Sequence, residues 1–280
     1  MAAMLSPSRY ASEAFAADLD SLEQGDAREV IPSECMAAPA AGDAWTCCRL
    51  TRPQKCEFKL FDGEGNFMLS ARKAGDDIAV SCYGETSAAT SRRGAVLRRR
   101  GGGGGAEPLR YELRLCVGEV VVEHGSPVVA VMPRTHRIGE SRVDVRGYAV
   151  AAAPPRGPHY TRDLSAVAVR PRAPPEATLA LRSRLPAWDD RNQCLSLKFG
   201  RGRVKLSSSK NVLVYGADAL PGGAAPPGLS ADAALLQLGK RAKGEFALDF
   251  KAPLSPLQAF AVALCAFDSK AALRRRAFAR

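Results

Sequence analysis

Aromatic side chains make up only 6% of the 280 residues, so aliphatic residues must fill most of any core. Histidine is scarcer still, and His124, His136 and His159 stand at no ligand spacing from any cysteine. The eight cysteines, at positions 35, 47, 48, 56, 82, 116, 194 and 265, include no CxxC pair. The adjacent Cys47 and Cys48 suit neither a zinc knuckle nor an ordinary bridge, so free thiols in a reducing compartment are expected. No apolar run reaches the ~20 residues of a spanning helix. The opening MAAMLSPSRYASEAFAADLDSLEQ also lacks the basic start and unbroken apolar stretch of a signal peptide. A soluble chain, at most peripheral to a membrane, is expected. Acid is in deficit, with 29 Asp+Glu against 40 Lys+Arg, a formal net charge of +11 and a pI near 9.5. That balance favours anionic partners: nucleic acid, phosphorylated lipid headgroups or acidic proteins. Arg-heavy loops that merely keep the chain soluble are the plainer alternative.

What is present is ordinary globular material, 46% hydrophobic and 25% charged, which excludes wholesale disorder. Residues 1–42 are rich in Ala, Ser, Pro and acid and show no strand alternation. Phe15, Leu19 and Leu22 share one helical face, so a disordered or weakly helical tail is expected there. From Trp45 onward short runs alternate with period two or are rich in β-formers. WTCCRL, CEFKLF, NFMLSA, DIAVSCY, LRYELRLCV, VVAVM and RVDVRGYAV come first. SAVAVR, ATLALR, CLSLKF, RVKLSS, NVLVYG, ALLQLG and EFALDF follow. Turns such as DGEGN (62–66) and PAWDDRNQ (186–193) separate them. This texture argues for an all-β sandwich or barrel rather than βαβ units. Gly101 to Gly105 reads as a flexible loop without the spacing of a nucleotide-binding turn. Residues 151–175 and 221–232 read as irregular.

The segment PLSPLQAFAVALCAFD (253–268) is the most informative. Ser255 suits an N-cap and Pro256 the first helical position. From Leu257 to Phe267 only Gln258 is polar, and a helix apolar on every face must be surrounded. At about 18 Å it is too short for a bilayer and right for the interior of a small barrel. Strands followed by such a helix predict a closed sheet around a central rod, which also removes exposed strand edges.

That helix and the strands before it resemble the C-terminal domain of the tubby-like protein family. LPAWDDRNQCLSLKFGRGRVKLSSSKNVLV (185–214) and ALLQLGKRAKGEFALDFKAPLSPLQAFAVALCAFDSK (234–270) carry the resemblance, and NFMLSARK (66–73) adds to it more weakly. It spans residues 43–270, with 84–180 divergent. The resemblance implies a closed antiparallel barrel of about twelve strands around a buried apolar C-terminal helix at about 255–268. The domain would run over 43–280. It also implies a non-enzymatic reader of phosphoinositide headgroups that tethers to the inner plasma membrane and is released toward the nucleus on lipid hydrolysis. Such a headgroup needs converging Lys and Arg donors, with Arg able to fork onto phosphate.

The family's headgroup motif, Gly-Lys-Leu-Arg-Ser-Asn, has as its counterpart Ala95-Val96-Leu97-Arg98-Arg99-Arg100. Arg98 keeps the motif arginine, whereas Val96 replaces the lysine and Arg99-Arg100 replace Ser-Asn. A further family arginine falls near Gly125 and is absent, and the basic run expected after Arg72-Lys73 becomes Ala74-Gly75-Asp76-Asp77. Against those losses, Arg92, Arg93, Arg98, Arg99 and Arg100 place five arginines within nine residues. They either rebuild a phosphate site, with Arg98 as the retained contact, or form a solvated basic loop. Arg274-Arg275-Arg276 and Lys240, Arg241 and Lys243 read as solvated charge, an import signal or a nucleic-acid contact.

No motif supports specific nucleic-acid reading. Cys116, His124 and the pair Asp189-Asp190 are the imaginable catalytic groups. Asp189-Asp190 reads instead as an Asx-type turn, with Trp188 as a packing anchor. Many plant members of the family carry an F-box, but residues 1–42 hold no Trp and only Leu5, Leu19 and Leu22, so an F-box is not expected there. The expected protein is therefore a monomer without catalytic residues, metal or cofactor. It is either a phosphoinositide-binding adaptor or a soluble cytoplasmic and nuclear interaction or transcription-regulatory factor that has lost lipid binding. Its protein partners are undefined by sequence.

Overall fold

Alternate residues of each β-run turn inward and are lost to solvent. Cys48 and Leu50, Phe58 and Leu60, Leu69 and Ala71, and Ile78 and Val80 are each at most 3% exposed and share one core. The computed structural model describes residues 31–40, 44–84, 94–101, 108–117, 120–121, 127–138, 143–153, 179–219 and 230–278. In chain order the strands begin with β1 (Thr46–Gln54), β2 (Glu57–Phe61), β3 (Phe67–Ala74), β4 (Asp77–Ser81) and β5 (Ala95–Arg100). The next are β6 (Arg110–Val117), β7 (Val120–Val121), β8 (Val129–Ile138), β9 (Val143–Ala152) and β10 (Leu179–Ser183). The last are β11 (Ala187–Asp189), β12 (Cys194–Ser196), β13 (Val212–Gly216), β14 (Leu236–Ala242) and β15 (Glu245–Phe250).

Among the described residues one sheet of 13 strands runs β5-β4-β3-β2-β1-β15-β14-β13-β10-β9-β8-β6-β7. Because β5 also pairs β6, the sheet closes on itself. With the two-residue β7 hanging from β6, twelve antiparallel strands make the ring. Closure leaves every strand of the ring paired on both sides, so the barrel wall presents no open edge.

Through the ring passes helix α2 (Pro256–Phe278), of which residues 257–266 are each at most 2% exposed; a shorter helix, α1 (Ser33–Met36), precedes the barrel. Its start is a capping box: Ser255 Oγ accepts from the Gln258 amide at 3.3 Å, and Gln258 Oε1 accepts from the Ser255 amide at 3.1 Å. Nε2 of Gln258 donates to the carbonyls of Val128 and Ala153, so the one polar side chain between Leu257 and Phe267 has partners for both its oxygen and its nitrogen. Farther along, Phe267 packs between Phe58 at 5.2 Å and Phe246 at 4.8 Å, the latter edge-on. The helix continues to Phe278, beyond the expected end near 268. Burial pushes the Cys265 thiol well up and keeps it an inert hydrophobe.

Two segments differ from the sequence-based expectation. Ile31, Cys35 and Met36 fall in the stretch read as a tail, yet they join the barrel core, and α1 touches α2. Residues 1–30 lie outside the described residues. RVKLSS (203–208), read as a strand, makes only an isolated bridge from Leu206 to Lys240 and is otherwise a strap on the outside of the barrel. Arg203 pins the strap by donating to Asp249 and to the Cys48 carbonyl. Burial raises the Asp249 carboxyl despite Arg203 beside it. Val204 lies so close to Gly239 that a Cβ there would collide with it, which explains the glycine in LQLGK. Leu197 and Phe199, just before the strap, cover the outward Leu213 and Tyr215.

Asp189 does build an Asx-type turn, accepting from the amides of Arg191 at 3.1 Å and Asn192 at 3.2 Å. Trp188 is no packing anchor: it is 48% exposed on the β11–β12 hairpin. Of the stretch read as irregular at 151–175, Ala151 and Ala152 end strand β9, and 154–175, with the run SAVAVR, lies outside the described residues.

Candidate functional site

Period-two alternation sorts the arginines of β5. Ala95 and Leu97 face the core, so Arg99 turns inward with them and Arg98 and Arg100 turn outward. The same rule splits β6: Tyr111, Leu113 and Leu115 face the core, which sends Arg110, Glu112 and Arg114 outward. Register brings the two outward sets together, pairing Arg98 with Glu112, Arg100 with Arg110 and Val96 with Arg114. On the other side Arg98 stands opposite Asp77 of β4, with Nε 3.4 Å from Oδ2. The outer face of β5 and β6 thus carries four arginines, Arg98, Arg100, Arg110 and Arg114, against the two carboxylates of Asp77 and Glu112. Neighbouring strands lie about 4.8 Å apart and alternate residues about 6.8 Å apart, so these guanidinium groups cover an area of headgroup size.

Glu112 is the hub of that face. Nε of Arg110 is 2.9 Å from Oε1, and Arg114 reaches Oε2 with Nη2 at 3.1 Å and Nε at 3.3 Å. Val96, where the family motif has lysine, is 1% exposed and packs with Cys116.

Arg99 belongs to a different construction, where α2 leaves the ring. Its Nη2 donates to Asp76 and its Nη1 lies 3.7 Å from Oδ2 of Asp268. Asp268, on α2, also accepts from Lys73 at Oδ1 and from the Tyr111 hydroxyl at 2.6 Å on Oδ2. Burial and then the Asp268 charge hold the Tyr111 phenol far above its usual range, so it stays a neutral donor. Beside it Arg146 donates to the Ala266 carbonyl and to Ser269 Oγ, both at 3.0 Å. Nearby at the same end, Arg52 stacks over Phe58 and Phe267 at about 5.5 Å. A cleft of about 370 Å³ opens between Thr51, Arg52, Pro53, Lys243, Gly244 and Glu245.

Of the five arginines singled out by sequence, Arg98 and Arg100 therefore share the outer face and Arg99 bridges to the helix. Arg92 and Arg93 lie outside the described residues, as does His124. Arg110 and Arg114 were missed, although the alternation in RYELRLC places them with Arg98 once β5 and β6 are known to pair. Among the described residues no three His, Cys, Asp or Glu side chains gather in a metal-holding arrangement. No helix among them is long and apolar enough to cross a membrane.

Comparison with known proteins bears on the C-terminal half. Residues 135–269 match the profile of the Tub family. Tubby-like F-box protein 8 of Oryza sativa subsp. japonica is 44% identical over 102 residues, covering 35% of this chain and 23% of that protein. Tubby-like F-box protein 10 of Arabidopsis thaliana is 42% identical over 103 residues, covering 34% of this chain and 23% of that protein. The matched part thus spans about a quarter of these relatives. A solved structure of an Arabidopsis thaliana protein covers 87% of this chain and 98% of its own, with a TM-score of 0.36 and 13% identity, too distant to argue from.

Proposed function

Starting from a chain whose residues 135–269 match the Tub family, we propose that the protein is a non-enzymatic adaptor that reads phosphoinositide headgroups at the inner plasma membrane. The outer face of β5 and β6 is its contact surface. The observation that carries this reading is the register that gathers Arg98, Arg100, Arg110 and Arg114 on neighbouring strands. A bisphosphorylated inositol ring needs several donors converging on it, and guanidinium forks suit its phosphates. Basic residues near an anionic leaflet contribute about 1 kcal/mol each, so attachment through a few arginines is reversible. Co-sedimentation with vesicles tests it. Adding a bisphosphorylated inositol lipid to neutral vesicles should draw the protein into the pellet, and Arg98→Ala should weaken that binding about fivefold. Equal pelleting with and without the lipid refutes the reading.

A second reading has its own support: Arg98 already faces Asp77, Arg99 is held by Asp76 and Asp268, and Val96 is buried where the motif has a donor. On that reading the barrel is a cytoplasmic and nuclear interaction or regulatory factor without lipid affinity. A fluorescent fusion imaged during phospholipase C activation separates the two. Movement off the plasma membrane supports the first, and an unchanged distribution supports the second.

A further inference from the structure

Alternation sends Ala79 of β4, Val96 of β5 and Cys116 of β6 to the outside of the ring, yet they are only 6%, 1% and 5% exposed. Ala79 stands opposite Val96, and Val96 and Cys116 pack together as a small cluster apart from the core. The outer wall therefore carries a covered apolar patch. Arginines border it: Arg114 is the register partner of Val96, and Arg98 follows two residues along β5. A segment suited to this surface has apolar side chains for the patch and carboxylates for the arginines.

The chain contains one. Residues 1–30, outside the described residues, hold six carboxylates, Glu13, Asp18, Asp20, Glu23, Asp26 and Glu29, against Arg9 and Arg28, in a chain of net charge +11. At helical spacing Phe15, Leu19 and Leu22 share one face, with Asp18 and Glu23 at its margins. The point of attachment is also fixed. Ile31, Cys35 and Met36 are buried in the core, and Cys35 is close enough to Cys82, just after β4, to feel its charge. The end of β4 lies against the start of β5, where Val80 pairs with Ala95. The segment is thus tethered beside the patch. Its twenty residues from 11 to 30 reach about 30 Å even as a helix, whereas Val96 to Arg100 spans about 14 Å.

We infer that residues 11–30 dock back on the outer face of β5 and β6, with Phe15, Leu19 and Leu22 on the apolar patch and the carboxylates on the arginines. The docking rests on the covered patch, the tether and the charge. Its consequence rests on the proposed reading of that face: the segment and an anionic headgroup compete for the same arginines, so the protein is held closed by its own acidic stretch.

Hydrogen–deuterium exchange on the full chain, read by mass spectrometry, tests this. Amides of residues 11–30 should exchange about fivefold more slowly than in a synthetic peptide of the same sequence. The slowing should vanish in Leu19→Ser/Leu22→Ser and in Arg98→Gln/Arg110→Gln, and on adding soluble inositol trisphosphate. The serine pair lies outside the barrel core, so it keeps the test valid should the arginine pair disturb the fold. Peptide-like exchange in the wild type overturns the inference. So does slowing that survives both pairs of substitutions, which places the segment elsewhere, or slowing that grows with protein concentration, which places it on a second copy. If both pairs abolish the slowing while trisphosphate and bisphosphate vesicles leave it intact, the docking stands and the lipid reading falls. If exchange is peptide-like while Arg98→Ala weakens vesicle binding, the inference falls and the lipid reading stands.

Discussion

Phe260→Ala is expected to remove about 3–5 kcal/mol of unfolding free energy, a large part of the roughly 5–15 kcal/mol that domains possess. Phe260 is 0% exposed, inside a helix whose residues 257–266 are each at most 2% exposed. The cost has two parts: the lost transfer of the ring from water, and the cavity left behind. How far a cavity closes depends on how far its walls can move. Here the walls are a ring of strands each hydrogen-bonded to two others, so inward collapse would strain paired backbone on all sides. Phe260 should therefore sit at the upper end of the range. Urea unfolding followed by circular dichroism measures it, with Trp188→Ala as control, expected within about 0.5 kcal/mol because Trp188 is half exposed. A loss at 260 no larger than at 188 would mean that the helix is not enclosed.

Asp268→Ala should cost about as much, roughly 3–5 kcal/mol, for an electrostatic reason. Its carboxylate is 6% exposed and receives Lys73, with Arg99 3.7 Å away and the Tyr111 hydroxyl at 2.6 Å. Removing it leaves a buried hydroxyl without an acceptor and two inward-turned cations without their common counter-charge. Lys73 is 25% exposed, so water recovers part of its loss, while Arg99 at 11% recovers less. The double variant with Lys73→Met should therefore cost less than the sum of the single changes, since each removes what the other leaves unpaired. Simple additivity in urea unfolding would show that Asp268 does not hold the rim to the helix.

The buried rod was legible from residues 255–267 because a helix without a polar face has one kind of home. The N-cap at Ser255, the Asx turn at Asp189 and most strands were equally visible, since turn chemistry and alternation are local. RVKLSS misled for the same reason. Its alternation is real, with Val204 covering Gly239, but it serves a strap held by side chains instead of a ladder. Ile31, Cys35 and Met36 were hidden because three apolar residues in a polar stretch announce no partner. At the candidate site, five clustered arginines looked like one patch, although alternation already sends Arg99 away from Arg98 and Arg100.

Composition, periodicity and capping, with a resemblance carried by residues 185–214 and 234–270, were enough to define a strand-built cylinder around a hydrophobic helix. Each of those signals depends only on a residue and its near neighbours in the chain. Which strands lie side by side is a different kind of fact. The β5–β6 register, which puts Arg110 and Arg114 beside Arg98 and Arg114 opposite Val96, is set only when those two consecutive strands pair. The meeting of Lys73, Arg99 and Tyr111 on Asp268 joins residues up to 195 positions apart and needs the whole ring, which β1 and β15 complete. Charges act through space, so only the folded chain decides which of them confront one another.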